Sequence, residues 1–154
     1  MKRLILSLVI AVIAGISAQA QCSQGGQQKK CQESKENVTV VKIEHNNIFS
    51  QCFIDIDTNG DGIVDCREAK EATFLSLERG GRSNVIDNYD FLKYFPNLTA
   101  FGVGTTPAEE IDLHNLRKLE KLHVGNAAWL KKVILAKGCN VEITGKDDVK
   151  VEYK

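Results

Sequence analysis

Residues 57–68 read DTNGDGIVDCRE, a run in which oxygen-bearing side chains alternate with residues that let the backbone turn. A hard dication takes six to eight oxygen ligands from a loop flexible enough to curl around it. The spacing supplies Asp57 at the first position, Asn59 at the third, Asp61 at the fifth and the carbonyl of Ile63 at the seventh. Asp65 follows at the ninth, acting through a water, and Glu68 at the twelfth with both oxygens. Gly62 falls at the sixth position, where the sharp turn needs the positive φ that glycine tolerates, and Val64 at the eighth is an apolar peg. These types at these spacings predict a calcium site, with Ca2+ the only cofactor expected; Asp55 and Gly60 lie off the ligand register. An unbraced exported loop of this kind is expected to bind weakly, at roughly 10⁻⁴ to 10⁻³ M.

The chain offers no second such loop, since TGKDDVKVEYK at its end has adjacent Asp147 and Asp148 but neither the turn glycine nor the closing glutamate in register. Paired loops brace each other at the eighth position, so here Val64 and the entry helix are expected to rest on the first strand of the region that follows. Calcium sensors usually greet targets with flexible methionines, and the only methionine is Met1; a sensing role is therefore not expected. Nor is catalysis. His45, His114 and His123 are scattered, GVGTTPAEE has glycines but no lysine to make a phosphate loop, and the loop acids are committed to an ion shell. No catalytic residue is assigned.

The elements that must hold this loop can be read on either side of it. NNIFSQCFIDI places Ile48, Phe49, Cys52, Phe53 and Ile56 at three- and four-residue steps, which predicts an entry helix with one apolar face. CREAKEA allows an exit helix of about two turns before TFLSLER alternates as a strand, with Leu75 and Leu77 on one side. Beyond residue 90 the sequence repeats: PNLTAFGVG and RKLEKLHVG align without gaps, matching Leu98 with Leu119, Phe101 with Leu122, Val103 with Val124 and Gly104 with Gly125, a period of 21. KGCNVEITG is a looser third copy, placing Val141 and Ile143 where Leu122 and Val124 stand. IDLHNL and VILAKG carry a second, shorter apolar signature through Ile111 with Val133 and Leu113 with Leu135. Periods of 20 to 29 built on L-x-x-L-x-L indicate leucine-rich repeats, whose short strands stack side by side and share one buried face.

The first twenty residues, MKRLILSLVIAVIAGISAQA, combine two cations, an apolar run and small residues at Ala18 and Ala20, the pattern of a cleavable export signal. Residues 21–37 are polar, rich in Gln and Gly and without apolar periodicity, and are expected to form a flexible tether. The domain plan is therefore a signal at 1–20, a tether at 21–37, a calcium-loop cap at 38–72 and a repeat domain at 73–154. Without the signal, 18 Lys and Arg face 20 Asp and Glu, a near-neutral balance that gives no electrostatic reason to expect nucleic acid or an anionic membrane as partner. Export puts the five cysteines in an oxidising compartment. None forms a C-x-x-C pair; Cys22 with Cys31 and Cys52 with Cys66 are the favoured pairings, which leaves Cys139 as a small buried apolar group. Cys22 follows Gln21 rather than the small residue that lipid attachment prefers.

The order NIFSQC, DIDTNGDGIVDCREA, FLSLE, YFPNLTAFGV and IDLHNLRKLEKLHV resembles exported leucine-rich repeat proteins of Bacteroidetes type. The most specific pieces are Glu68-Ala69, Tyr94 to Leu98, and Ile111-Asp112-Leu113. The resemblance spans about residues 41 to 154 and implies an α/β fold: a short repeat solenoid of about three to four parallel strands, capped N-terminally by a helix and a single EF-hand-like loop. It also implies a non-catalytic binding or surface-interaction role. The expected product is a monomeric, calcium-stabilised module, periplasmic, surface-borne or secreted, with no membrane insertion after signal cleavage. A protein or glycan partner is expected on the strand face carrying Phe74, Ser76, Glu78, Ala100, Gly102, Lys121, His123 and Glu142. Alternative readings are a dockerin-like assembly module, since dockerin loops share D-x-N-G-D-G, and a structural surface protein with no soluble ligand.

Overall fold

The structure is a computed structural model and describes residues 38–79 and 83–154. The export signal, the tether and the Cys22–Cys31 pairing lie outside the described residues. The described chain mixes parallel sheets with few and short helices, an α/β arrangement.

The N-terminal part begins with β1 (Thr39–Lys42), followed by α1 (Ile48–Gln51), β2 (Ile63–Asp65) and α2 (Cys66–Glu71). β1 and β2 form an antiparallel ribbon in which Val41 stands opposite Val64 and Lys42 opposite Ile63. The entry helix is shorter than its apolar spacing predicts. Asn47 caps it by accepting a hydrogen bond from the Ser50 amide at 3.2 Å, and after four residues the chain continues as successive turns up to Asp57. The buried Ser50 Oγ donates to the carbonyls of Asn47 and Glu44 and accepts from the Glu44 amide, tying the helix start to the preceding turn. Of the predicted apolar face, Cys52, Phe53 and Ile56 are buried and Phe49 packs against the core, whereas Ile48 is exposed at the first helical position.

From Ala100 onward the chain alternates between two parallel sheets, the first of which also takes the preceding strand at Phe74–Ser76. One has the strand order β3 (Phe74–Ser76), β4 (Ala100–Gly102), β6 (Lys121–His123), β8 (Glu142–Thr144). The other is built from β5 (Glu110–Asp112), β7 (Lys132–Leu135) and β9 (Lys150–Tyr153). Leu75, Phe101, Leu122 and Ile143 stand side by side in the first sheet, and Ile111, Val133 and Val151 in the second; the alignment of the third copy is thereby corrected, since Ile143 and not Val141 pairs with Leu122, two residues along from the expected match. Because successive strand residues point to opposite faces, one residue in two turns inward. Leu75, Leu77, Phe101, Val103, Leu122 and Val124 are all buried. Leu98, Leu116, Leu119 and Leu130, on the connections between strands, complete one continuous core that also takes in Val64 and Phe53.

The N-terminal part is fastened to the sheets through aromatic edges. Phe49, Phe53 and Phe91 meet one another edge to face with ring centroids 5.2 to 5.6 Å apart, and Phe95 lies 5.9 Å from Phe53. Such pairs add about 0.5–1.5 kcal/mol each beyond their burial. Phe91 belongs to a 3₁₀ turn over Asp90–Tyr94. In the YFPNL stretch Phe95 and Leu98 are fully buried, and Asn97 donates to the Lys70 carbonyl at 2.6 Å, satisfying an orphan acceptor at the end of α2. β2 is paired at Val64 with β1, and α1 meets the 3₁₀ turn through Phe49 and Phe91.

The cysteine pairing is also corrected. Cys66 and Cys139 each belong to a disulfide, so Cys139 is not the unpaired apolar group expected, while Cys52 is a free, buried thiol and does not pair with Cys66. Burial pushes the Cys52 thiol up, and the Asn84 amide, which also donates to the Leu77 carbonyl, lies 3.5 Å from its sulfur. The outer face of the second sheet carries a charge ladder in which Lys132 pairs with Glu110 and Glu152; the hydrogen bonds to Lys132 and Lys150 hold the Glu152 carboxyl below its usual range.

Gly104, at the end of the β4 row, marks the tightest approach between rows. A Cβ there would lie 2.5 Å from the Leu77 carbonyl oxygen, a backbone atom that can yield only if the strand shifts. Gly104→Ala is expected to destabilise by about 1 to 3 kcal/mol, the usual cost of overpacking, read as a lower urea midpoint at unchanged slope.

Candidate functional sites

The loop over residues 57–68 folds onto its own side chains. Asp57 accepts from the Gly60 and Gly62 amides at 2.8 and 2.9 Å, Asn59 from the Asp61 amide at 2.8 Å, and Asp61 from the Ile63 amide at 2.8 Å. Gly62 has φ +81°, as the sixth position requires, and Gly60 has φ +73°, a second left-handed turn that the sequence reading set aside. Asp57, Ile63 and Asp65 are half-buried, and Asn59 and Asp61 are exposed.

Glu68 is the buried end of the loop, at 1% exposure. One carboxylate oxygen accepts from the amide and hydroxyl of Thr58 and from the Asn59 amide, at 2.9 to 3.3 Å; the other accepts from the Asp65 amide at 3.1 Å. Asp65 in turn accepts from the Arg67 and Glu68 amides, completing a reciprocal capping box at the start of α2. The reading of Asp65 as a ninth-position ligand overlooked this second role, although D-x-x-E is its signature. Glu68 therefore ties the two ends of the loop together through its own oxygens.

The donor set of the loop is all oxygen, four carboxylates and an amide with a main-chain carbonyl, and suits a hard cation rather than a soft one. Among the described residues no three His, Cys, Asp or Glu side chains converge as a ready metal cluster. In the loop the carboxylates are instead turned onto backbone N–H groups.

The second candidate site lies on the solvent face of the four-stranded sheet. Phe74, Ala100, Lys121 and Glu142 form one row across it, and Ser76, Gly102, His123 and Thr144 the next. Phe74 is 61% exposed; Lys121, His123 and Glu142 are exposed, and Ser76 and Glu78 half-buried. Of the eight residues expected on this face, seven stand in these two rows and Glu78 lies just beyond β3, and the structure links Ser76, Glu78 and His123. Glu78 Oε1 lies 3.3 Å from His123 Nε2 and Glu78 Oε2 accepts from Ser76 Oγ at 3.3 Å. Asn126 Nδ2 donates to Glu78 Oε1 at 3.2 Å, and His123 Nδ1 lies 3.0 Å from Thr144 Oγ1.

Glycines make this network possible. Gly102 stands between Ser76 and His123, and a Cβ on it would lie 2.8 Å from Ser76 Oγ and 3.2 Å from Glu78 Oε2. The His123 ring reaches over Gly125, whose Cβ would meet Nε2 at 2.6 Å. Asn126 and Thr144 were missed by sequence reasoning. The signal for Thr144 was present in the 21-residue register, which sets it beside His123; Asn126 lies beyond the strand, where alternation no longer says which way a side chain turns. His45 and His114 take no part: His45 is exposed, and His114 pairs with Asp112 at 2.5 Å beside the other sheet.

No family model, curated protein or solved structure matches this chain. Among the described residues no helix is long and apolar enough to cross a membrane.

Proposed function

We propose that this chain is an exported leucine-rich repeat module whose N-terminal cap is an EF-hand-like calcium loop, and that it binds a protein or glycan partner, without catalysis, on its four-stranded sheet face. The observation that carries the reading is the side-by-side register of Phe101, Leu122 and Ile143, with Ile111, Val133 and Val151 in the opposing sheet. A chain that returns to the same row after each repeat, with one residue in two turned inward, buries a shared core and leaves a regular outer face for recognition. Disulfide-bonded Cys66 and Cys139 support export, since such bonds persist in oxidising compartments.

Asp57, Asn59, Asp61, the Ile63 carbonyl, Asp65 and Glu68 would hold the ion, which would supply charge neutralisation and rigidity to the cap. The loop's left-handed Gly62 and its hard-oxygen donor set support this assignment. The pairing of Val41 with Val64 favours a cap over a dockerin-like module, because β1 takes the place at the eighth position where a second loop would lean.

The test is thermal unfolding with calcium and with chelator. At ~10 mM calcium and a Kd of roughly 10⁻⁴ to 10⁻³ M, mass action adds about 1.4 to 2.7 kcal/mol, which raises Tm by roughly 5–10 °C. A Tm indifferent to chelator would overturn the structural-ion assignment.

A further inference from the structure

The solvent face described above is not flat. The β3 row presents Phe74, Ser76 and Glu78, and the β6 row Lys121 and His123, while β4 between them shows only Ala100 and Gly102. Strands two places apart are about 9–10 Å from one another, so small residues on the middle strand leave a trough of that width with taller walls. One end is closed, where Glu78 reaches across Gly102 to His123 and is held there by Asn126. The other end is open beside Phe74.

We infer that this trough is a binding site for a neutral polysaccharide, an inference that rests on the partner-binding reading above and narrows it to one class. β4 and β6 are interior strands whose edges are already paired on both sides, so an extended peptide cannot join the sheet at this place by main-chain hydrogen bonds; recognition falls to side chains. Those present suit vicinal hydroxyls. The Glu78 carboxylate accepts, the Asn126 amide donates and accepts, and the His123 ring and the Ser76 and Thr144 hydroxyls do either according to their partner. Their mutual hydrogen bonds hold them in place before a ligand arrives, which reduces the ordering cost of binding. Phe74, 61% exposed beside the small Ala100, provides a flat apolar surface for the C–H face of a sugar ring. On this face the carboxylates of Glu78 and Glu142 outnumber the one lysine, Lys121, so no excess of positive charge draws an acidic polymer, hence a neutral one.

Affinity electrophoresis of the full chain in native gels cast with mannan, dextran or xyloglucan, and with polygalacturonate as the acidic control, tests this. Retardation is expected in at least one neutral gel and not in polygalacturonate. Phe74→Ala and Glu78→Gln should each weaken that retardation at least tenfold in apparent Kd while leaving Tm unchanged. Unaltered mobility in all three neutral gels, stronger retardation by polygalacturonate, or retardation that persists undiminished in both variants would overturn the inference. A calcium-dependent Tm in a chain that no neutral gel retards would remove the glycan site and leave the capped repeat intact; neutral-gel retardation in a chain whose Tm ignores calcium would remove the ion and leave the trough.

Discussion

Glu68→Ala is expected to abolish the stabilisation by calcium and to weaken the chelated protein as well. The two losses have separate causes. With chelator present, the substitution strips the acceptor from the Thr58, Asn59 and Asp65 amides, which Glu68 gathers at 2.9 to 3.3 Å from a position 1% exposed. Leaving partly buried donors without a partner costs about 1–3 kcal/mol, read as a lower urea midpoint. With calcium present, the missing bidentate ligand removes the added Tm rise altogether. Glu68→Gln separates the effects: its amide oxygen still accepts from loop N–H groups, so chelated stability should fall less, while the response to calcium still declines. A Glu68→Ala protein that melts with and without calcium as the unaltered chain does would leave the loop with no structural duty.

Leu122→Ala should cost about 2 to 5 kcal/mol, the range for emptying a buried leucine site. Leu122 is 1% exposed and stands in β6 between Phe101 and Ile143, so neither neighbour can close the gap without moving its own strand. Lys121→Ala, one residue earlier and turned to solvent, should stay within about 0.5 kcal/mol. Equilibrium urea unfolding of the two variants side by side checks the register directly. A near-neutral Leu122→Ala would mean that the residue does not lie in the core row.

The match of Phe101 with Leu122 was legible because alternation and a 21-residue period constrain each other: a slip by one residue would turn Lys121 and His123 into the core. The third copy was set two residues off, because a slip of two keeps every side chain on its own face and alternation alone does not reveal it. The left-handed turn at Gly62 was legible for a similar reason, since that position has its own stereochemical demand. The entry helix was less so. Apolar residues at helical steps say which side is buried, but not that the chain stops hydrogen-bonding as a helix after Gln51 and reaches Asp57 through turns that bury Cys52, Phe53 and Ile56 equally well. The cysteines misled because proximity in sequence favoured Cys52 with Cys66. In the fold Cys52 faces Asn84, a residue far along the chain that no local pattern connects to it. On the sheet face, the strand positions were readable from alternation, whereas the bridge from Glu78 to His123 depends on Gly102 having no side chain in between, a relation among three rows that appears only once they are stacked.

The ribbon of Val41 against Val64 has a mechanical meaning. Among the described residues β1 is hydrogen-bonded as a strand to β2 alone, and β2 lies in the second half of the loop over residues 57–68. Whatever tightens that loop therefore tightens β1 with it, and a pull applied at Thr39 is felt at Ile63 and Val64 before it reaches any of the stacked rows. The two segments should exchange amide hydrogens as one unit, slow together in calcium and fast together in chelator, as the two halves of a clasp would.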